Sequence, residues 1–311
     1  MTTLARTLPS DVKGAARWWQ RCEAPTLVLA VGVYSAWAAL VYWHAAIGAV
    51  VLFVLGGCIA QLHSSLQHEA IHAMRRIPRP LRWALVWPPL NLWLPYPLYH
   101  RSHSVHHVNF HLTHPQKDSE SVYHSAAAWA GYGPVRRAVI AANQTLAFRL
   151  IAGPWLCLGN LVRSELRRFA AGDFSHLGIW LVHGLSVAPV LWFVVSVSDM
   201  SLGSYLLCFV YPGMMLGALR SFTEHRWDDS PHERVAIVES NPVFGLLFLN
   251  NNLHHVHHRC PTMPWYEIPG HFRRNRAAIL DANGHFYYRG YWQIVRRYLW
   301  RPIFEPVHPH W

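Results

Sequence analysis

Four apolar runs, arranged as two close pairs, constrain this chain more than any other feature. Thr26 to Trp43 is 18 residues without a charged side chain, about 27 Å as an α-helix and enough to cross the hydrocarbon core of a bilayer. Ala45 to Leu62 follows after a turn at His44. Leu177 to Val197 and Leu202 to Leu219 form the second pair, joined by Ser198-Asp199-Met200-Ser201. Inside a bilayer every backbone N–H and C=O must be bonded within the chain, so such runs span as helices. The expected fold is all-α: a multi-pass membrane helix bundle of four spanning helices in two hairpins, with a helical cap on one side. No repeat or low-complexity segment interrupts it, and residues 1–311 are expected to form a single integral-membrane domain.

The formal net charge is +11, from 27 Lys+Arg against 16 Asp+Glu. Nucleic acid, anionic lipid and an acidic protein are the partners such a balance suggests. No recognisable nucleic-acid module is present, so no nucleic acid is expected. Both short turns within the pairs lack Lys and Arg, whereas Arg163, Arg167, Arg168 and Arg220 flank the second pair on the other side. The positive-inside rule then puts both termini in the cytoplasm. The lead-in from Met1 to Pro25, with Arg6, Lys13, Arg17, Arg21 and the Trp18-Trp19 pair, reads as a cytoplasmic segment with an interfacial anchor. No small-residue cleavage site follows the first run, so no signal-peptide removal is expected. Cys22, Cys58, Cys157, Cys208 and Cys260 are scattered without a CxxC, which argues against a disulfide framework and a cysteine metal site.

Two further apolar stretches are poor spans. Trp83 to Leu98 contains Pro88, Pro89, Pro95 and Pro97, a density that interrupts a helix and suggests a re-entrant or interfacial segment. Val139 to Leu161 contains Asn143, Gln144, Arg149 and Pro154 and reads as a surface-lying helix. From Arg259 onward the chain is polar and aromatic, with Pro261, Pro264 and Pro269, and residues 259–311 are expected to cap the cytoplasmic part.

The histidines supply the chemistry. An HxxHH spacing occurs at His103, His106 and His107 and again at His254, His257 and His258, with an i, i+4 pair at His68 and His72. With 23 His in the chain, one HxxHH arises by chance about 0.1 times, so two copies and a third box are a strong signal. On a helix these positions share one face, and the three imidazoles of each box are expected to converge on one point. With four spans all three boxes fall on one side. Imidazole suits iron, zinc and copper, and eight box histidines exceed one tetrahedral zinc, so two metal ions account for them better. His225, just after the fourth span, is a candidate ninth ligand. His100 and His255 are ambiguous between ligand and outer neighbour. Glu69, Asp118, Glu120, Glu224 and Asp228 are candidates to orient imidazoles by accepting their second N–H. His111 and His114 read as polar neighbours, His44 and His63 as membrane-edge residues, and His183 as a hydrogen-bonded histidine within a span.

The boxes His68-Glu69-Ala70-Ile71-His72, His103-Ser104-Val105-His106-His107 and His254-His255-Val256-His257-His258 resemble those of the membrane-bound fatty acid desaturase and hydroxylase superfamily. Leu112-Thr113-His114-Pro115, Asp118-Ser119-Glu120-Ser121 and Pro261-Thr262-Met263-Pro264-Trp265-Tyr266 also look like segments of its bacterial members. The resemblance runs from Thr26 to Pro269. It implies a cytoplasm-facing diiron centre (Fe2+/Fe3+) that activates O2, with electrons from a separate ferredoxin, rubredoxin or cytochrome b5. The implied ligands are His68, His72, His103, His106, His107, His254, His257 and His258, with His225 matching the family's additional histidine. Departures lie at His114, where many relatives carry Asp, and at Ser119, where Pro is commoner. These bear on subgroup and substrate rather than on the metal.

The expected activity is O2-dependent desaturation of an apolar, lipid-like chain, most simply a fatty acyl group, by an enzyme bedded in membrane lipid. Hydroxylation or ketolation of a lipid or carotenoid would use the same site. His68 to His72 also satisfies HExxH, the zinc-protease motif, but that reading leaves two boxes unexplained. A metal carrier would place its ligands within the spans, where these boxes are not.

Overall fold

Helices begin close to where the apolar runs begin. The protein is described by a computed structural model covering residues 17–108 and 111–311; Arg6 and Lys13 of the expected lead-in lie outside the described residues. Helix α1 (Ala24–Tyr42) and α2 (Ala49–His72) are joined by a 3-10 turn at His44–Ala46. At 24 residues, α2 is about 36 Å long. It outruns its apolar part, so its last turns carry His68 and His72 in continuous helix, as expected.

Helix α3 (Arg79–Val86) stops just before Pro88 and Pro89, and α4 (Tyr96–Val108) starts with Pro97 in its first turn. Proline there needs no intrahelical donor. The single surface helix expected over Val139 to Leu161 is instead three: α5 (Pro134–Ala142), α6 (Leu146–Ile151) and α7 (Gly153–Ala170). Two local causes account for the breaks. The Thr145 hydroxyl donates to the Ala142 carbonyl at 2.7 Å, competing with the helix ladder. Pro154 lacks the N–H that would continue α6 into α7.

Among the described residues, helices α8 (Leu177–Val197) and α9 (Leu202–Ser221) complete a set of four, with α1 and α2, long and apolar enough to cross a membrane. Each contains a widened π turn, Trp192–Val197 beyond Pro189 and Leu206–Val210 ahead of Pro212, where a missing proline N–H disturbs the i→i−4 ladder. Their outer faces are apolar and open: Val50 is 78% exposed and Leu185 75%. Such faces are unfavourable against water and suited to lipid.

Helices α2 and α9 approach closely because of glycine. A Cβ on Gly57 would lie 2.7 Å from Pro212 Cβ, and one on Gly213 would lie 2.7 Å from Ala60 Cβ. Both are below any normal carbon–carbon contact, so the two helices pack backbone to backbone at these positions. Beyond α9 the described residues form β1 (Ile237–Val238), α10 (Pro242–Leu247), α11 (His254–Arg259), α12 (Ile268–Ala282), β2 (Tyr287–Tyr288) and α13 (Tyr291–Tyr298). Strand β1 pairs with β2 in parallel. Leu253 and Val256 of the third box segment pack with Ile268, Phe272 and Ile279 of α12. The Ser65 hydroxyl donates to Leu247 O at 2.9 Å, and Glu69 accepts the Trp265 N–H at 3.0 Å. These bonds fix the tail segment to the end of α2.

Candidate metal centre

Four chain segments deliver nine imidazoles to one region. Helix α2 supplies His68 and His72, α4 supplies His103, His106 and His107, and α11 supplies His254, His257 and His258. His225 follows α9 and is held by antiparallel bridging to Val235. The turn into α11 is set by the preceding asparagines. Leu249 (φ 47°) and Asn250 (φ 59°) are left-handed, a conformation asparagine tolerates better than most residues. Asn250 donates to Trp265 O at 2.9 Å and Asn252 to Val238 O at 2.6 Å. Asn251 Oδ1 lies 3.1 Å from His254 Nδ1.

The nine imidazoles form two clusters. His68, His72, His103, His107 and His257 make one, and His106, His225, His254 and His258 the other, with the ligand atoms of each cluster within 4.8 Å of one another. The expectation that each HxxHH box converges on a single point is corrected: each box serves both clusters. At 100° per residue, i and i+4 differ by about 40° while i+3 lies about 60° to the other side. His103 and His107 therefore face one cluster and His106 the other; His254 and His258 face the second and His257 the first.

The residues fit a metal. The Nε2 atoms of His68, His72 and His103 are buried without a hydrogen-bond partner, a costly state that a bound metal ion would relieve. His103 Nδ1 lies 2.7 Å from Glu120 Oε1, and His106 Nδ1 lies 2.8 Å from Asp118 Oδ1. A carboxylate only accepts, so both Nδ1 atoms carry a proton, and Nε2 is the atom through which either ring, when neutral, would bind a metal. Between rings, Nε2 atoms are 2.9 Å apart for His107 and His257, 3.0 Å for His106 and His225, and 3.1 Å for both His225–His254 and His254–His258. Two nitrogens at about 2.1 Å from one ion and at right angles to each other are about 3.0 Å apart.

Electrostatics keeps most of these rings neutral. Burial, reinforced by neighbouring histidines, pushes His107, His254, His257 and His258 well below the ordinary histidine range and His225 to about 3. His106 is the exception: burial lowers it, but the bond to Asp118 and the charges of Glu120, Asp118 and Glu224 outweigh that and raise it. Burial opposes ionisation of Asp118 and Glu120, yet their histidine partners pull both below the ordinary carboxylate range. Glu224 is raised, chiefly by burial, with Arg220 opposing; it stands 3.2 Å from Arg220 Nε and 3.6 Å from His254 Nδ1.

The other sequence candidates lie elsewhere. Glu69 is engaged by the Trp265 N–H. Asp228 faces Arg226 at 3.6 Å and accepts the Ser230 N–H. His100 packs its ring on Trp83 and Tyr96, with centroids 5.2 and 6.1 Å away. His255 is buried outside both clusters; its backbone N–H donates to Ala236 O, and neither ring nitrogen has a hydrogen-bond partner. In each case the helical or loop register turns the side chain away from the cluster axis. His114 Nδ1 accepts the Gln116 N–H at 3.0 Å, His63 Nε2 lies 3.3 Å from the Tyr34 hydroxyl, and His183 Nε2 bonds to Leu92 O at 2.8 Å. Sequence reasoning missed Asn251 as a histidine partner; its position three residues before His254, on the same turn, was the available signal.

Beside the first cluster lies a cavity of about 480 Å³ whose lining includes Glu120, Tyr99, Arg149 and Met214. The family model described as fatty acid desaturase matches residues 43–292. The chain belongs to the fatty acid desaturase family. No curated protein matches it. Membership makes the chain an oxidoreductase, and the family's use of iron agrees with two histidine clusters able to hold metal. Four apolar helices in a membrane desaturase family fit an integral membrane protein.

Proposed function

We propose that the chain is a membrane-bound, non-haem diiron oxidoreductase that uses O2 and external electrons to desaturate an apolar chain, a fatty acyl group above all. The observation that carries this reading is the pair of buried, all-histidine clusters. His68, His72, His103, His107 and His257 hold one iron, and His106, His225, His254 and His258 hold the other. A five-nitrogen cluster exceeds the four ligands of a structural zinc. Bound there, the two irons supply the electron-transfer and O2 chemistry needed to remove hydrogen from an unactivated C–H bond.

The protein's own part is positioning. Glu120, Asp118 and Asn251 fix the rings of His103, His106 and His254 with their Nε2 atoms inward. Burial keeps the remaining rings neutral and excludes water. Desaturation takes two hydrogens from the substrate, and with two electrons and two protons from outside it reduces O2 to two waters. Those electrons come from a separate ferredoxin, rubredoxin or cytochrome b5, for which the exposed Arg273 and Arg274 of α12 offer a basic docking point. By the positive-inside rule the histidine-bearing helix ends and both termini face the cytoplasm, where such donors work. The protease reading is disfavoured by Glu69, whose carboxylate is occupied by a backbone N–H rather than free to act as a base.

The test is lipid profiling by mass spectrometry of cells expressing the chain with a donor and its reductase, beside a His257→Ala control. A product lacking two hydrogens, absent in the control, is expected. A product gaining oxygen would replace desaturation by hydroxylation, and a zinc-loaded protein without oxidised product would overturn the proposal.

A further inference from the structure

Segment 306–311 lies behind two loops that serve the same histidine cluster. It runs beside residue 124 as a short parallel strand: the His124 N–H donates to Pro306 O at 2.8 Å, the His308 N–H to His124 O at 2.9 Å, and the Ala126 N–H to Trp311 O at 2.6 Å. The His308 ring, 3% exposed, is thereby set against Tyr123 and Trp227, with centroids 5.4 and 5.6 Å away. The His310 ring lies 4.7 Å from that of Trp227, and its backbone N–H donates to His308 Nδ1 at 3.2 Å. The Trp227 N–H donates to the Tyr123 hydroxyl at 3.0 Å, so His308 backs a bond that ties down the chain two residues after His225. At the far end of the segment the Trp311 ring packs on that of His114, 4.4 Å between centroids. The His114 carbonyl accepts the Asp118 N–H at 3.1 Å, and Asp118 orients His106.

A loop that carries a functional group is held by what packs behind it, and without that packing it opens locally at little cost. We propose that segment 306–311 is a strap that positions the cluster of His106, His225, His254 and His258. Its positioning residues are His308, acting through the chain beside His225, and Trp311, acting through the turn that aims Asp118 at His106. Among the described residues neither ring packs on a cluster imidazole. The five-histidine cluster leans on this turn through Glu120 and His103 alone, since its other rings stand on α2, α4 and α11. The proposal deepens the diiron reading and rests on it.

The test is iron exchange from the full chain to a chelator, with the two irons followed separately by spectroscopy, beside amide hydrogen exchange of the metal-free chain. Trp311→Ala and His308→Ala should each speed loss of the four-histidine cluster's iron about tenfold, the low end for groups that orient a ligand, and affect the other iron less. Trp311→Phe, which keeps a ring on His114, should retain most of the wild-type behaviour. Without metal, Trp311→Ala should unprotect amides in 113–121 and His308→Ala those in 225–235, while α2 stays protected. Trp300→Ala removes a ring that is 78% exposed on another face and should change neither measurement. Trp311 is itself 53% exposed, so its variant carries the test even where His308→Ala fails to fold. Equal loosening of both irons, no loosening, or unchanged amide protection in the two segments would overturn the proposal. A wild type without iron contradicts the diiron reading; two irons in the wild type, with exchange indifferent to both variants, contradicts the strap alone.

Discussion

Replacing Asp118 by Asn should release one iron and spare the other. Asp118 Oδ1 accepts from His106 Nδ1 at 2.8 Å and from the Glu120 N–H at 3.0 Å, while Oδ2 accepts the Thr113 N–H at 2.8 Å. An asparagine offers one oxygen to these three donors. If it keeps His106 and Glu120, its amide faces the Thr113 N–H, donor against donor, and a buried donor left unmet costs about 1–3 kcal/mol of folding stability. His106 also loses the charge that fixes its tautomer and raises its basicity. Partners of this kind are typically worth about 10–100-fold in metal affinity, or about 1.4–2.7 kcal/mol. That loss belongs to the cluster of His106, His225, His254 and His258 alone, since Asp118 touches no imidazole of the other. The assay is chelator competition on iron-loaded protein, with the two irons followed separately by spectroscopy. One iron should exchange 10–100 times more readily and the other should be unchanged. Equal loosening of both, or of neither, would refute the assignment of Asp118 to one cluster.

Three further outcomes are expected. Glu120→Gln should weaken chiefly the iron of the five-histidine cluster, through His103, by about 10-fold or more in the same chelator assay. Metal-free protein should lose stability as pH falls below about 6.5. A histidine held neutral to about 3, such as His225, takes its proton first in the unfolded chain, at about 1.4 kcal/mol per pH unit per group until the folded pKa is reached. His106, being raised, acts in the opposite sense, and a denaturant midpoint measured between pH 7 and 4 checks the net fall. Gly57→Val should cost about 1–3 kcal/mol by overpacking against Pro212, seen as a lowered midpoint in thermal unfolding in detergent.

The spans and boxes were legible because their signals are local. Charge-free runs mark helices by length, and i, i+3, i+4 spacing marks a helical face. The division of each box between two clusters was also present in the helix angle, but choosing which histidine goes where requires the opposing helices. Asp118 and Glu120 were legible as orienting partners because the turn after α4 returns them to it within a short loop. Glu69 and His100 were misleading because their partners, Trp265 and Trp83, depend on tertiary packing. The three-way break of residues 134–170 turned on a single hydroxyl bond and one proline. The cavity was invisible in sequence, since Gln61, Arg149 and Met214 meet only when α2, α6 and α9 pack.

The most direct test of the central claim is iron-57 Mössbauer spectroscopy with metal analysis on the wild type, His72→Ala and His225→Ala. Two clusters predict about two irons per chain in the wild type, with each variant losing a different component and keeping the other. A single iron, one zinc, or identical losses in both variants would contradict it.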